Sequence, residues 1–185
     1  MRTLNIETPL NQETIESLRA GDRVFITGII FTARDSAHKR LADALNAGRN
    51  IPVDFANQVI YYTAPAPAPP GQIIGSAGPT TSGRMDSYAP LLMAIGLKGM
   101  IGKGNRSQEV KDAMKKYKAV YFAAIGGTGA LISKSIKKAE VIAYEDLGAE
   151  AIHRLQVENF PAIVINDIYG NDLYLQGRAR YQIKT

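Results

Sequence analysis

The 185-residue chain is 45% apolar and carries a formal net charge of +5, with an isoelectric point near 9.4. This length and composition suit a single domain with a sizeable core, which we expect to span residues 1–185. Cysteine is absent, which excludes disulfides, a thiolate nucleophile and a thiolate-held metal on this chain. The two histidines are too few to build a transition-metal site without another chain.

The chain has no apolar run of about 18 residues, and its first residues lack a signal-peptide core. We therefore expect a cytoplasmic protein with no membrane partner. The basic charge favours anionic partners. The basic residues are dispersed, however, and neither an aromatic ribonucleoprotein motif nor zinc-finger spacing is present. A solvated basic surface is the better interpretation, and we expect no nucleic-acid partner.

The first half of the chain alternates short strands with helices. Periodicity and turn signals predict strands over 3–7, 24–31 and 59–62. Capping residues and apolar stripes predict helices over 11–18 and from Asp35 or Ser36 to Gly48. The proline-rich segment 64–71 is typical of an extended surface loop.

The second half continues the alternation. The pattern predicts strands over 99–101, 119–125, 140–144 and 162–165, and helices over 88–96, 107–117 and 150–155. A glycine-rich turn at 126–130 leads into a further helix, and a turn at 169–172 predicts a hairpin into a strand at 173–175. Together these elements predict an α/β fold with a mixed sheet and a barrel-like β part.

Three cations follow apolar strands in loops of small residues. Arg84 lies near the end of the stretch 74–86, which runs from an apolar segment through small residues into a helix-like pattern. A cation in a first helical turn opposes the helix dipole, so its presence hints at an anion held there. Arg34 stands at a second such junction, and Lys103 follows another strand. Because two guanidinium forks suit two carboxylates, a shared site for a small dicarboxylate is the functional hypothesis, and the alternative is that each residue is an ordinary exposed cation.

Three further residues near these loops have open roles. Thr80 is a candidate base if cations and amide donors stabilise its alkoxide, although capping is the usual role of such a threonine. His38 either reaches the same loop or packs. Asp86 either pairs with Arg84 or caps locally. At Gly126–Gly129 the dinucleotide fingerprint fails because Ile132 takes the place of its third glycine, so close backbone packing is the better explanation.

These residues resemble the β-subunit, or C-terminal domain, of class I iron–sulfur fumarases and L-tartrate dehydratases. The most specific match is the Gly-Pro-Thr-Thr motif that begins at Gly78. The matching segments are Thr32–His38, Gly78–Asp86, Gly102–Gly104, Gly126–Leu131, Glu145–Gly148, Glu150–Ile152, Phe160–Pro161 and Asp167.

The resemblance implies a swivelling β/β/α fold and the reversible hydration of a four-carbon dicarboxylate. It implies a [4Fe–4S] cluster ligated by cysteines of a partner α-subunit, in agreement with the absence of cysteine here. It places substrate binding on Arg34, Arg84 and Lys103, the catalytic base on Thr80, and His38 near the substrate. We expect a homo-oligomer of the αβ unit.

The residues leave the substrate open. Fumarate hydration to malate and dehydration of L-tartrate to oxaloacetate share all of these positions. A non-catalytic module that binds anions or nucleic acid is the alternative from a different class, and only the net charge suggests it.

Overall fold

The computed structural model describes residues 1–182. The strands of this part are β1 (Thr3–Thr8), β2 (Arg23–Thr32), β3 (Val59–Tyr61), β4 (Gly99–Gly102), β5 (Val120–Ala123), β6 (Ile136–Ala143) and β7 (Ile152–Asn166). The α-helices are α1 (Gln12–Ser17), α2 (Asp35–Asn46), α3 (Ala89–Ala94), α4 (Gln108–Tyr117), α5 (Gly129–Ile132) and α6 (Leu173–Tyr181). Short 3₁₀ helices cover Ser82–Met85, Ser133–Ser135 and Glu145–Glu150.

The sheet closes on itself. The strand order is β1-β2-β3-β4-β5-β7-β6, and an additional pairing of β2 with β7 joins five of these strands into a closed, barrel-like sheet. Strands β1 to β5 pair in parallel, whereas β7 runs antiparallel to β2, β5 and β6. The predicted mixed sheet with a barrel-like part is therefore confirmed.

Apolar residues fill both faces of the sheet. Alternate strand residues such as Val24, Ile26 and Phe160 form the inner cluster. The other face packs against helices α2, α3 and α4 through a second cluster that includes Leu41, Leu92, Val110, Tyr62 and Tyr121. Burying one such side chain contributes about 1.5–3 kcal/mol, so the two clusters together account for most of the driving force for folding.

The helices follow local sequence signals. In α4 the Ser107 hydroxyl caps the amide of Val110 at 3.3 Å, and lysines occupy the last turn, where cations complement the helix dipole. Lys118 then ends the helix in the left-handed conformation, at φ 51°. Among residues 1–182 no helix is long and apolar enough to cross a membrane.

Two predicted elements are wrong. The segment predicted as a helix over 150–155 instead begins β7 at Ile152, because this chain segment pairs with β2 on one edge and with β6 on the other. The predicted strand at 173–175 is the start of α6. Asp172 caps that helix, since its carboxylate accepts the amides of Tyr174 and Leu175.

The parallel strands determine where the loops meet. Because β2, β3, β4 and β5 run in the same direction, the loops after their carboxyl ends lie at one edge of the sheet. Arg34 follows β2, Lys103 follows β4, and the glycine-rich turn follows β5. Arg34 and Lys103 therefore follow the two strands that flank β3.

Candidate active site

Arg34 and Arg84 converge on one carboxylate. Arg84 donates from Nε to Oδ1 of Asp35 at 2.9 Å and from Nη2 to Oδ2 at 2.7 Å, which is a bidentate pair. Nε of Arg34 lies 3.5 Å from Oδ2 of the same carboxylate. Two guanidinium groups from different loops thus face a position that already holds a carboxylate, as a shared anion site requires.

A second carboxylate holds Arg34 from the other side. Glu150 Oε1 lies 3.2 Å from Arg34 Nη2, and its Oε2 accepts the backbone amide of Ser36 at 2.8 Å. Glu150 therefore also satisfies a free N–H in the first turn of α2, where the helix dipole favours a negative charge. The three predicted cations and the carboxylates of Asp35 and Glu150 sum to one net positive charge.

The segment around Thr80 extends the sheet between β3 and β4. The amide of Thr80 donates to the Tyr62 carbonyl at 2.7 Å, and the amide of Lys103 donates to the Thr80 carbonyl at 3.2 Å. The Ser82 amide then donates to the Lys103 carbonyl at 2.8 Å, and Thr81 and Lys103 form a parallel bridge. This pairing makes Thr80 and Lys103 backbone neighbours.

The Thr80 side chain is not used as a helix cap. Thr81 stands at the N-cap position of the 3₁₀ helix, and no side chain caps that helix. Thr80 is half-buried. The capping role is therefore not observed for this helix, and the role of Thr80 as a base stays a prediction.

The glycine-rich turn shows the close backbone packing that was predicted, and the structure identifies the Thr80 loop as its partner. A Cβ at Gly129 would lie 2.7 Å from the amide nitrogen of Gly78 and 2.4 Å from Oγ of Ser76. The Ala77 amide donates to the Gly129 carbonyl at 3.2 Å. A Cβ at Gly126 would lie 3.8 Å from Nζ of Lys103, so this turn also borders the lysine.

His38 lies behind Arg34 and is fully buried. Its Nδ1 is 2.9 Å from the Arg34 carbonyl, which can only accept, so Nδ1 carries the proton and donates. Its ring packs edge-on against Tyr62 with centroids 5.3 Å apart. Burial lowers the pKa of His38 to about 4, so the ring is neutral at physiological pH.

Asp86 does not pair with Arg84. It accepts from Nε of Arg106 at 2.7 Å and from the Ser107 amide at 2.6 Å. Asp35 and Glu150 had no predicted role in the site, although both lie in segments that match the family. Adjacency to Arg34 is a signal for Asp35, whereas residue spacing alone does not mark Glu150 or the buried Arg106 as partners of these loops.

The donor atoms of this chain do not fit an iron–sulfur cluster. The chain has no cysteine. Within residues 1–182, no group of three or more His, Asp or Glu side chains is arranged to hold a metal ion. An apolar groove of about 320 Å³ lies elsewhere, between β2, β5, β7 and α5, and contains none of the three cations.

The chain is similar in sequence to several hydro-lyases. It is 46% identical over 156 residues to "Fumarate hydratase class I, anaerobic" of Escherichia coli, covering 83% of this chain and 28% of that protein. It is 41% identical over 178 residues to "Fumarate hydratase 1, mitochondrial" of Leishmania major, covering 95% and 32%. The chain therefore spans less than one third of these fumarate hydratases.

A third relative is close to this chain in length. The "Putative L(+)-tartrate dehydratase subunit beta" of Methanocaldococcus jannaschii is 34% identical over 171 residues, which cover 89% of this chain and 88% of that protein. The family model described as "Fumarase C-terminus" matches residues 1–177, nearly the whole chain. This protein therefore belongs to the fumarase C-terminus family.

Proposed function

We propose that this chain is the β-subunit of a two-subunit [4Fe–4S] hydro-lyase that catalyses the reversible hydration of fumarate to malate. The observation that carries this proposal is the convergence of Arg34 and Arg84 on the single carboxylate of Asp35. Two forks that meet at one carboxylate-sized position, with Lys103 on the adjacent loop, suit a small dicarboxylate. The similarity to fumarate hydratases supports the same substrate class.

In this proposal the cations bind the substrate and the transition state. A substrate carboxylate would share or replace the hydrogen bonds that Arg84 now makes to Asp35. Lys103 supplies a compact charge beside Thr80. Because charge builds up on a carboxylate when the adjacent carbon loses its proton, these cations stabilise the transition state more than the ground state.

Thr80 acts as the base for that proton. Thr80 is half-buried, and its backbone carbonyl accepts the amide of Lys103, so the two residues belong to adjoining segments. Nearby positive charge favours the deprotonated form of a hydroxyl. In the dehydration direction Thr80 Oγ1 takes the proton from the carbon next to the one that bears the hydroxyl. Loss of the hydroxyl depends on groups outside this chain.

His38 supports the site from behind Arg34 in this proposal. Its neutral ring donates to the Arg34 carbonyl and so fixes the start of α2. We place the cluster and its cysteine ligands on a partner α-subunit, because this chain offers no suitable donors. The name of the archaeal relative, a subunit beta, supports a partner of this kind.

L-tartrate dehydratase is the second candidate. The observation that favours it is the tartrate dehydratase β-subunit, of which this chain covers 88%. L-tartrate carries one hydroxyl more than malate, and a neutral hydroxyl is not distinguished by the charges of the three cations. The substrate test is therefore anaerobic co-purification with the cysteine-bearing partner, followed by assays on fumarate, malate and L-tartrate.

Thr80→Ala in the assembled enzyme tests the proposed base. We expect substrate affinity to persist, because the cations remain, while kcat falls by about 10² to 10⁴-fold, the usual contribution of general acid–base catalysis. Thr80→Ser keeps a hydroxyl and serves as the matched control, which should retain most of the activity. A loss below about tenfold in Thr80→Ala would remove this threonine from the chemistry, and turnover by the isolated chain would contradict the two-subunit assignment.

A further inference from the structure

Arg106 is a buried charge that lies beneath the candidate site. Its side chain is fully enclosed, with 0% of its surface exposed. A guanidinium is strongly hydrated in water, so its burial requires hydrogen bonds and packing that compensate for the lost solvent. The contacts that it makes indicate what this charge does.

The guanidinium of Arg106 has one charged partner and two aromatic ones. Its Nε donates to Asp86 Oδ1 at 2.7 Å. Its Cζ lies 5.4 Å from the ring centroid of Tyr62 and 5.1 Å from that of Tyr121, so both rings are within cation–π range. Its Nη1 also approaches the Tyr62 hydroxyl at 3.4 Å.

Each of these partners is connected to the loops that carry the site. Asp86 directly follows the 3₁₀ helix that holds Arg84, and its second oxygen accepts the amide of Ser107 at 2.6 Å. Tyr62 supplies the carbonyl that accepts the Thr80 amide at 2.7 Å. Arg106 therefore joins the Thr80–Arg84 loop to the loop that follows Lys103.

Tyr121 ties the same two loops together. Its hydroxyl lies 2.9 Å from the Gly104 carbonyl, to which it donates, and 2.9 Å from Ser82 Oγ, which can then donate to it. No side chain fits at Gly102, because a Cβ there would lie 2.0 Å from Ser82 Oγ. Tyr121, whose ring contacts Arg106, therefore connects the Thr80–Arg84 loop to the loop that follows Lys103.

We propose that Arg106 is a positioning residue, which acts through Asp86, Tyr62 and Tyr121. Through these contacts it fixes the relative positions of Thr80, Arg84 and Lys103. This inference rests on the proposed hydro-lyase function. It assigns no contact between Arg106 and the substrate, because the guanidinium is shielded from solvent. Small displacements of reacting groups, of the order of 1 Å, can cost about 100-fold in rate, so such a clamp affects catalysis directly.

Arg106→Lys in the assembled enzyme is the main test, because lysine keeps the charge but loses the planar fork. Asp86→Asn is the second variant, since it keeps the shape of the side chain but removes its charge and replaces one of the two acceptor oxygens with an NH2 donor. The matched control is Asp22→Asn. Asp22 is a buried carboxylate that pairs with Arg2 at the opposite end of β2, about 30 Å from the site by the rise per residue of a strand.

We expect Arg106→Lys to lower kcat/KM by at least tenfold, mainly through kcat, with the control within about threefold of the wild type. In the double variant with Arg84→Ala, the further loss caused by Arg106→Lys should shrink, because both substitutions affect one unit. Hydrogen exchange of the assembled enzyme should accelerate in peptides covering 79–86 and 102–107 in Arg106→Lys and Asp86→Asn, but not in Asp22→Asn.

Two results would overturn the proposal. The first is a loss of kcat/KM no larger than that of Asp22→Asn at equal thermal stability, which would indicate a purely structural charge. The second is unchanged exchange over 79–86 in both test variants. Absence of turnover by the wild-type enzyme on any dicarboxylate would instead refute the proposed function, and the exchange comparison would still decide whether Arg106 orders the two loops.

Discussion

Gly78 and Gly129 face each other, yet we predict opposite effects of alanine at these two positions. A Cβ at Gly129 would lie 2.7 Å from the backbone nitrogen of Gly78, far inside contact distance. A Cβ at Gly78 would lie 3.7 Å from the Gly129 Cα, which is an ordinary contact. Neither glycine has a positive φ, so conformational strain does not distinguish the two substitutions.

The magnitudes follow from these contacts. Forcing an extra methyl group into a packed backbone contact costs about 1–3 kcal/mol. Alanine in the first turn of α5 regains at most about 1 kcal/mol of helix propensity, so Gly129→Ala should destabilise the chain by about 1–2 kcal/mol. Gly78→Ala meets no clash and restricts the unfolded chain, so it should be neutral or stabilise by about 0.4–1 kcal/mol.

Urea denaturation and thermal unfolding of both variants measure this difference. At about 2–4 °C per kcal/mol for chains of this size, the melting temperatures of the two variants should differ by several degrees. Gly129→Ala should also lower kcat/KM in the assembled enzyme, because the clash is transmitted to the loop that carries Thr80. Equal stability of the two variants would refute the argument that the glycine turn supports this loop.

Three further predictions concern side chains of the site. Asp35→Asn should lower kcat/KM about tenfold, because Arg84 loses its bidentate partner, and should change the free energy of unfolding by less than about 1 kcal/mol because the pair is partly exposed. Tyr121→Phe should destabilise the chain by about 1–3 kcal/mol in urea, because the Gly104 carbonyl loses its donor. The pKa of His38 is lowered to about 4 in the folded chain, so the unfolded chain binds the extra proton first below about pH 6.5. Stability should therefore fall by roughly 3 kcal/mol as the pH drops from 6.5 to 4, and His38→Asn should flatten that part of the curve; an unchanged slope would contradict the buried, neutral ring.

Local sequence signals predicted that Arg34 and Arg84 meet, as they do at Asp35, whereas their role in a site stays a prediction. Arg34, Arg84 and Lys103 each follow an apolar strand in a loop of small residues, and parallel strands bring such loops to one edge. The argument from a misplaced charge was wrong, because Arg84 lies in the last turn of the short 3₁₀ helix Ser82–Met85, where a cation is favourable. The close packing of the glycine turn was also predictable, because the dinucleotide fingerprint fails at Ile132 and leaves tight backbone contact as the explanation.

Contacts between distant segments could not be predicted in this way. Glu150 pairs with Arg34 across more than 100 positions, and the segment 150–155 was wrongly predicted as helical because its apolar spacing suits either structure. Only the pairing of β7 with two neighbouring strands decides between them. Arg106 has no local signal of burial, since its enclosure arises from Tyr62, which follows β3, and from Tyr121 of β5.

The carboxylates of Asp35 and Glu150 hold the two arginines of the candidate site in place. Two guanidinium groups at one position repel each other, and Arg84 is half-exposed, so without a partner it would adopt many rotamers. Asp35 holds both forks, and Glu150 holds Arg34 from the other side. A ligand carboxylate then enters a preorganised position and replaces interactions that already exist, so binding gains less free energy than isolated forks would give. The arginines therefore contribute most when negative charge builds up on the substrate in the transition state. Binding groups accelerate a reaction when they stabilise the transition state more than the bound substrate.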